Sequence, residues 1–224
     1  MPNWVANELR ISASSKEAMT AIRSKLFVKD ENGNEYLSFT ALIPEERDNP
    51  KYRVDPAKAH IVPDDLDENG LTFNWYAFHI NKWGCKWDVS PDDCTIWEDT
   101  DESVGVSFNT PWSCPCEWYN ALCEAFPGEC IELVGMDEAM DYYWENGTLG
   151  SIADRIDEKQ AKRIEFERVF DENNKSIDDY DLEKIIDEYD DGYFSYPDMF
   201  DPSSWEYCVD DDDSFLEFCE SYKK

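Results

Sequence analysis

The sequence predicts an α+β protein, in which helices pack on one face of an antiparallel sheet and an acidic, mainly helical C-terminal extension follows. Two observations lead to this prediction. Over residues 1–150, runs with strand periodicity alternate with runs of helical periodicity in the order βαβ, helix, ββαββ. From residue 151 onward the patterns are mainly helical, and 24 Asp and Glu stand against nine Lys and Arg. We therefore predict two domains, residues 1–150 and residues 151–224.

The first domain is expected to begin with a half-buried strand and a capped helix. The strand is Trp4–Ser12, where apolar and polar residues alternate. Ser14–Glu17 forms a capping box, because a Ser oxygen accepts from a free helix amide and the Glu reaches back. An apolar run, Leu37–Ile43, predicts the second strand, which Pro44 ends. Asn49–Gly70 is rich in Pro, Asp and Asn and predicts a long loop or short irregular pieces.

The rest of the first domain is expected to contain two helices and four strands. Leu71–Trp83 predicts a helix with one aromatic face. Thr95–Asp99 and Val104–Asn109 predict an antiparallel pair around an acidic turn. A further helix is expected to open at Ser113–Pro115. The last two predicted strands are Ile131–Met136 and Met140–Trp144.

The extension carries two apolar stripes and one capping box, which together predict three helices with carboxylates on their outer faces. The stripes are Ile152, Ile156, Ile164 and Phe170 in the first helix and Leu182, Ile185, Ile186 and Tyr189 in the second. A capping box at Ser214–Glu217 is expected to open the last, short helix.

The charge of the chain is its most unusual property. The formal net charge is −32 over 224 residues, yet 15% of the residues are aromatic and 42% are hydrophobic. A chain this acidic without apolar residues would stay disordered, whereas this one can bury a core and carry its charge outside. Such a surface repels nucleic acid and membranes, and it attracts proteins that bind nucleic acid. This net negative charge is far larger in magnitude than the charge of about 2–8 that is enough to keep a small domain soluble.

Compartment signals predict a cytosolic protein. No apolar run reaches the roughly 18 residues of a membrane span, and the N-terminus lacks a basic segment followed by an apolar one. The eight cysteines are therefore expected to be reduced, mostly buried thiols, with a disulfide framework as the alternative.

Three strings of the first domain carry a family resemblance. They are Met1–Trp4 followed by Asn7 and Leu9, then Asn81–Asp88, and then Phe108–Pro115. Together, and in this order, they resemble the Api92-like family of phage and plasmid proteins, which have a YubB-type ferredoxin-like domain. This chain departs from the family pattern by an inserted Lys82 and by Cys85 in place of the usual Thr.

The resemblance covers about residues 1–150 and does not reach the acidic extension. It implies a ferredoxin-like, split β-α-β domain that is encoded on a mobile genetic element. We expect the protein to act in the host cytoplasm. The resemblance implies no enzymatic chemistry. Members of the family lie among phage genes and in plasmid regions where counter-defence genes are common, which is an association and not a mechanism.

These observations lead to a first hypothesis about function. We expect a counter-defence protein that blocks the nucleic-acid groove of a host immune effector, such as a CRISPR or restriction complex, by acidic mimicry and without turnover. The partner is a basic nucleic-acid-binding protein, and no direct binding of nucleic acid, membrane, metal or cofactor is expected. The predicted contacts are Asp178, Asp179, Asp181, Asp187, Asp190, Asp191, Asp210, Asp211, Asp212 and Asp213, with Tyr193 and Trp205 to stack on Arg or Lys.

Two other classes of function stay open. The protein could be an inhibitor or adaptor that grips its target through a shape-matched apolar surface, or an enzyme built from carboxylates or a thiol. For Trp83–Asp88 we favour a packed turn over a binding site. For Cys114–Cys116 we favour a turn over a redox or zinc site, and for His79 a packing role over a general base.

Overall fold

The computed structural model describes residues 3–63, 65–139, 142–152, 156–199 and 204–224. Its contacts divide the chain into two compact units, Met1–Gly150 and Ser151–Lys224. Each unit has its own cluster of buried apolar side chains. No helix within the described residues combines the length and apolar character needed to cross a membrane. Residues 140 and 141 of the last predicted strand lie outside the described residues.

The first unit is built around a sheet of six strands. In chain order its elements are β1 (Trp4–Ser12), α1 (Lys16–Leu26), β2 (Phe27–Lys29), β3 (Glu35–Leu37), α2 (Phe39–Leu42), β4 (Arg53–Val54), α3 (Pro56–Ala59), β5 (Thr72–Phe73), α4 (Trp75–Lys82), β6 (Cys94–Asp99), β7 (Ser103–Pro111), α5 (Cys116–Ala125), β8 (Cys130–Asp137), β9 (Tyr142–Glu145) and β10 (Thr148–Ser151). The order across the sheet is β10-β9-β8-β1-β7-β6, and β2-β3 and β4-β5 form separate pairs.

The predicted α+β class and antiparallel sheet are confirmed. β1 pairs antiparallel with both β7 and β8, so Leu9 lies between Val106 and Leu133 in the middle of the sheet. All three side chains are buried. Ile22 of α1 and Trp118 of α5 belong to the same cluster, so both helices cover this face. The alternation that predicted β1 therefore marks the packed side of the sheet.

The strand predicted over Leu37–Ile43 is wrong. β3 ends at Leu37, and the short helix α2 follows it. The carboxylate of Asp88 accepts hydrogen bonds from the Ser38 hydroxyl at 2.8 Å and from the Phe39 amide at 2.5 Å. Free amides at a helix start need such partners. This cap comes from a residue fifty positions away, which a local pattern does not contain.

The predicted helix over Leu71–Trp83 begins later than expected. Thr72 and Phe73 pair with β4, and the side chain of Asn74 accepts from the Ala77 amide at 3.1 Å to start α4. The expectation of short irregular pieces in Asn49–Gly70 is confirmed, because β4, α3 and a 3₁₀ turn occupy parts of it.

Among its described residues, the second unit contains three α-helices and a two-stranded sheet. In chain order they are α6 (Glu158–Glu172), α7 (Leu182–Glu188), β11 (Gly192–Ser195), β12 (Glu206–Val209) and α8 (Asp212–Cys219). The β11-β12 pair is antiparallel and was not predicted. Asp211 caps α8 by accepting from the Asp213 amide at 3.1 Å, so the capping box expected at Ser214–Glu217 is wrong. Ile164, expected on a buried stripe, is 59% exposed.

Two glycines with left-handed backbones allow a test of the packing between α4 and α5. Gly33 has φ +86° and nothing within 4 Å of an added Cβ, while Gly84 has φ +85° and would place that Cβ 3.0 Å from the Cys116 amide nitrogen. Gly33→Ala therefore introduces backbone strain alone, whereas Gly84→Ala also introduces a clash between the added Cβ and the backbone of Cys116. We predict that Gly84→Ala loses about 1–3 kcal/mol more unfolding free energy than Gly33→Ala in urea denaturation. Equal losses would contradict a close approach at Gly84.

Candidate functional site

The β11-β12 pair brings together two acidic segments that lie apart in the sequence. Gly192 is paired with Val209 at one end of the ladder. The residues just before β11 and just after β12 therefore leave the sheet at the same end. We call this surface the acidic end and define it as Asp190, Asp191, Asp210, Asp211 and Asp213, all of them exposed.

The carboxylates of the acidic end act on one buried side chain. Burial, and then the charges of Asp191, Asp210 and Asp211, raise the pKa of Tyr189 to about 12. Because carboxylates from both segments raise the pKa of the same tyrosine, the two segments lie close together in space. Asp211 also accepts from the Ser214 hydroxyl at 2.9 Å, and Asp211 to Asp213 lie at the N-terminus of α8. That position favours negative charge.

None of the five aspartates of the acidic end forms an ion pair with a described residue. Three described cations of this unit pair with other acids. Lys159 lies 2.6 Å from Asp187, and Lys184 lies 3.0 Å from Asp181. Arg168 binds Glu165, Glu172 and, at 3.5 Å, Asp212. The five aspartates of the acidic end thus stay unpaired, while Asp181, Asp187 and Asp212 have cationic partners.

The structure divides the predicted contact residues into groups. Asp190, Asp191, Asp210, Asp211 and Asp213 form the acidic end, with Asp212 beside them in α8. Asp181 and Asp187 are already engaged by lysines. Asp178 and Asp179 are exposed in the 3₁₀ turn Ile177–Asp179, next to the C-terminal lysines, because the Lys224 amide donates to the Asp179 carbonyl at 2.8 Å.

The two predicted aromatic contacts differ in exposure. Tyr193 is 54% exposed on β11. Trp205 is only 6% exposed; its indole N–H donates to the Asp198 carbonyl at 2.9 Å, and its ring packs edge-on against Tyr196. The Tyr193 side chain is accessible to a partner at the protein surface. At most one side of the Trp205 ring faces a cavity.

A second surface arises in the first unit, where the three strings of the family resemblance meet. Trp4 and Trp87 have ring centroids 6.5 Å apart, and the Trp112 amide donates to the Asn3 carbonyl at 2.7 Å. The Lys86 ammonium lies 4.2 Å from the Trp87 ring centroid and 4.5 Å from that of Trp112. We call Trp4, Lys86, Trp87 and Trp112 the tryptophan surface. Sequence reasoning did not predict it, because only the fold brings these strings together.

The backbone of the tryptophan surface is strained. Trp112 has φ +72°, a conformation that bulky residues rarely adopt, and it is 48% exposed. The segment is held by the Ser113 hydroxyl, which donates to the Gly84 carbonyl at 2.5 Å. Within Trp83–Asp88, the predicted packing role is confirmed for the buried Trp83 and for Asp88, which caps α2. Trp87 instead is 40% exposed.

The expectation of mostly buried thiols is wrong, because only Cys85, Cys114 and Cys219 of the eight are buried. All eight cysteines lie among the described residues and are free. A hydrogen bond from Cys114 lowers the pKa of Cys116, while burial raises that of Cys114. His79 stacks on Trp83 at 3.8 Å and bonds Glu45 at 2.8 Å, as the packing interpretation expects. The described residues contain no cluster of three or more His, Cys, Asp or Glu side chains that could hold a metal ion.

Comparison with known proteins adds no relative to this picture. No family model, no curated protein and no solved structure matches the chain.

The unpaired charge of the acidic end predicts a stability effect. Asp190→Asn/Asp191→Asn relieves repulsion among like charges and should raise the Tm by roughly 2–4 °C at low salt. The shift should shrink at high ionic strength, where exposed charges are screened. Thermal unfolding followed by circular dichroism measures it.

The matched control is Asp181→Asn/Asp187→Asn, which removes the same charge but leaves Lys184 and Lys159 without partners. It should not raise the Tm. A similar rise in both variants would mean that the acidic end is no more repulsive than the rest of the unit.

Proposed function

We propose that this chain is a phage- or plasmid-encoded counter-defence protein that occupies the nucleic-acid groove of a host immune effector in the host cytoplasm. The observation that carries the proposal is the acidic end, where two segments present exposed carboxylates without ion-pair partners among the described residues. A basic groove is complementary to such a surface.

In this proposal the acidic end takes the place of a phosphate backbone. B-DNA carries one negative charge about every 1.7 Å along its axis, so a groove that binds it must present several Arg and Lys side chains. Asp190 and Asp191 directly precede β11, and Asp210 to Asp213 follow β12 and begin α8. Fixed charges lose little entropy on binding, which favours capture of a positively charged groove.

We also propose that the first unit is a ferredoxin-like domain of the Api92-like kind. The strand order β8-β1-β7-β6 supports this, with α1 between β1 and β6 and α5 between β7 and β8. A split β-α-β arrangement connects its strands in this manner. The second unit is, in this proposal, an acidic and mainly helical extension that supplies the partner contact.

Inhibition by blockade is stoichiometric and needs no catalytic group. One copy of the protein silences one copy of the effector, and inhibition stops rising once each groove is filled. Inhibition of many effector molecules by one copy would instead require an enzyme.

The proposal is tested by capture and competition. Immobilised protein is incubated with host lysate, and captured proteins are identified by mass spectrometry and then challenged with duplex DNA and RNA. We predict that a nucleic-acid-binding effector is captured, that its nucleic acid displaces it, and that affinity falls steeply between about 50 mM and 500 mM NaCl. An effector that binds this protein and its nucleic acid together would overturn the proposal.

The variant that tests the surface is Asp190→Asn/Asp191→Asn/Asp210→Asn/Asp213→Asn, which should lose capture by about ten-fold or more. Its control, Glu31→Gln/Glu68→Gln/Asp92→Asn/Asp93→Asn, removes as much charge from exposed positions of the first unit. The control should retain capture, because local complementarity and not net charge selects the partner.

The tryptophan surface favours a second candidate, an inhibitor or adaptor that binds through an apolar, shape-matched contact. Exposed tryptophans are frequent anchors of interfaces. In that case Trp87→Ala/Trp112→Ala loses capture while the four-aspartate variant keeps it. Trp97→Ala is the control, since Trp97 is also exposed, at 42%, but lies on β6 outside this surface.

A further inference from the structure

A cavity of about 250 Å³ opens in the second unit between α6 and the β12 segment. On the helix side it is lined by Ala161 and Ile164, which lie three positions apart and hence on one face of α6. On the strand side it is lined by Trp205 and Tyr207. Both aromatic residues are buried, whereas Ile164 is 59% exposed at the entrance.

The cavity is acidic at its rim. Glu206 is exposed, and its carboxylate makes no hydrogen bond or ion pair with a described residue. Glu165 also lines the cavity, and its carboxylate accepts from Arg168 and from the Val209 amide at 3.1 Å. Those hydrogen bonds outweigh burial and lower the pKa of Glu165, so it is ionised at neutral pH.

The single cation in the lining does not cancel this charge. Arg168 contacts the carboxylates of Glu165, Glu172 and Asp212. Its guanidinium is therefore already neutralised, and Glu206 remains as the unshared acceptor. A bound cation would meet a carboxylate excess at the rim and aromatic rings inside.

The size of the cavity points to one side chain as its occupant. Pockets for cofactors and similar ligands begin at about 300 Å³, so this one is too small for most of them. The walls fit a ligand that has an apolar stem beside Ile164 and Ala161. Its other end should be a planar cation that lies against the aromatic rings. Arginine combines both, and its guanidinium is less strongly hydrated than the lysine ammonium.

We propose that this cavity binds one arginine side chain presented by the partner protein. The proposal rests on the proposed function, because it gives the second unit an anchor point for a basic groove in addition to the acidic end. Ile164 packs on the methylene stem, Trp205 and Tyr207 contact the guanidinium plane, and Glu206 accepts its hydrogen bonds.

The test titrates the full-length protein with Nα-acetyl-L-arginine methylamide and follows the Ala161 methyl and Trp205 indole signals by NMR. Saturable shifts of both signals are expected, with binding about ten-fold weaker for the citrulline analogue, which has the same shape without the charge. The lysine analogue should also bind more weakly. No shift at these residues, or equal affinity for the citrulline or lysine analogue, would overturn the proposal.

Two variants test whether the arginine probe binds in the cavity. Glu206→Gln should weaken binding of the arginine probe about ten-fold, and Glu217→Gln, which removes an exposed charge from α8, should leave it unchanged. Equal effects of the two variants would contradict a local site. The probe needs no partner, so a failure here leaves the capture experiment with the four-aspartate variant as a separate test of the proposed function.

Discussion

The structure of the second unit depends on a cluster of aromatic rings that holds mutually repelling segments together. Phe215 of α8 stacks on Phe166 of α6 with centroids 4.5 Å apart, and Tyr189 meets the edge of Phe215 at 5.0 Å. Tyr189 directly precedes Asp190 and Asp191, and Phe215 follows Asp210 to Asp213 within one turn of α8. Burial of these rings offsets the repulsion of the carboxylates that they position.

This arrangement separates the charges that stabilise the unit from those that are displayed. On α6, Lys159 and Arg163 form pairs with acids of α7, and Arg168 joins α6 to the start of α8. Such exposed pairs each contribute little to stability. They leave the five aspartates of the acidic end without an ion-pair partner among the described residues, although Arg168 pairs with Asp212 beside them. The uneven distribution supports the proposal that the acidic end binds a partner.

Elements whose causes are local could be predicted from the sequence, and those with distant causes could not. The alternation in β1 and the stripe that begins at Trp118 in α5 depend on neighbours along the chain, and both elements were found. α2 depends on Asp88, and the β11-β12 pair depends on a register between segments with weak local signals. Ile164 fits the predicted stripe but lies at the cavity entrance, whereas Phe170 of the same stripe is buried together with Phe166 and Val169, which the stripe did not include. For the candidate site, the acidic composition proposed the aspartates as contacts, while only the fold distinguished unpaired carboxylates such as Asp191 from paired ones such as Asp187.

The claim that the acidic end meets the partner is tested most directly by carboxylate footprinting. The protein is labelled with a carbodiimide and an amine, alone and in complex with the captured effector, and labelling is quantified by residue. The account predicts strong protection of Asp190, Asp191, Asp210 and Asp213, with unchanged labelling at Glu68 and Asp92. Unchanged labelling of all four aspartates in a saturated complex would contradict it.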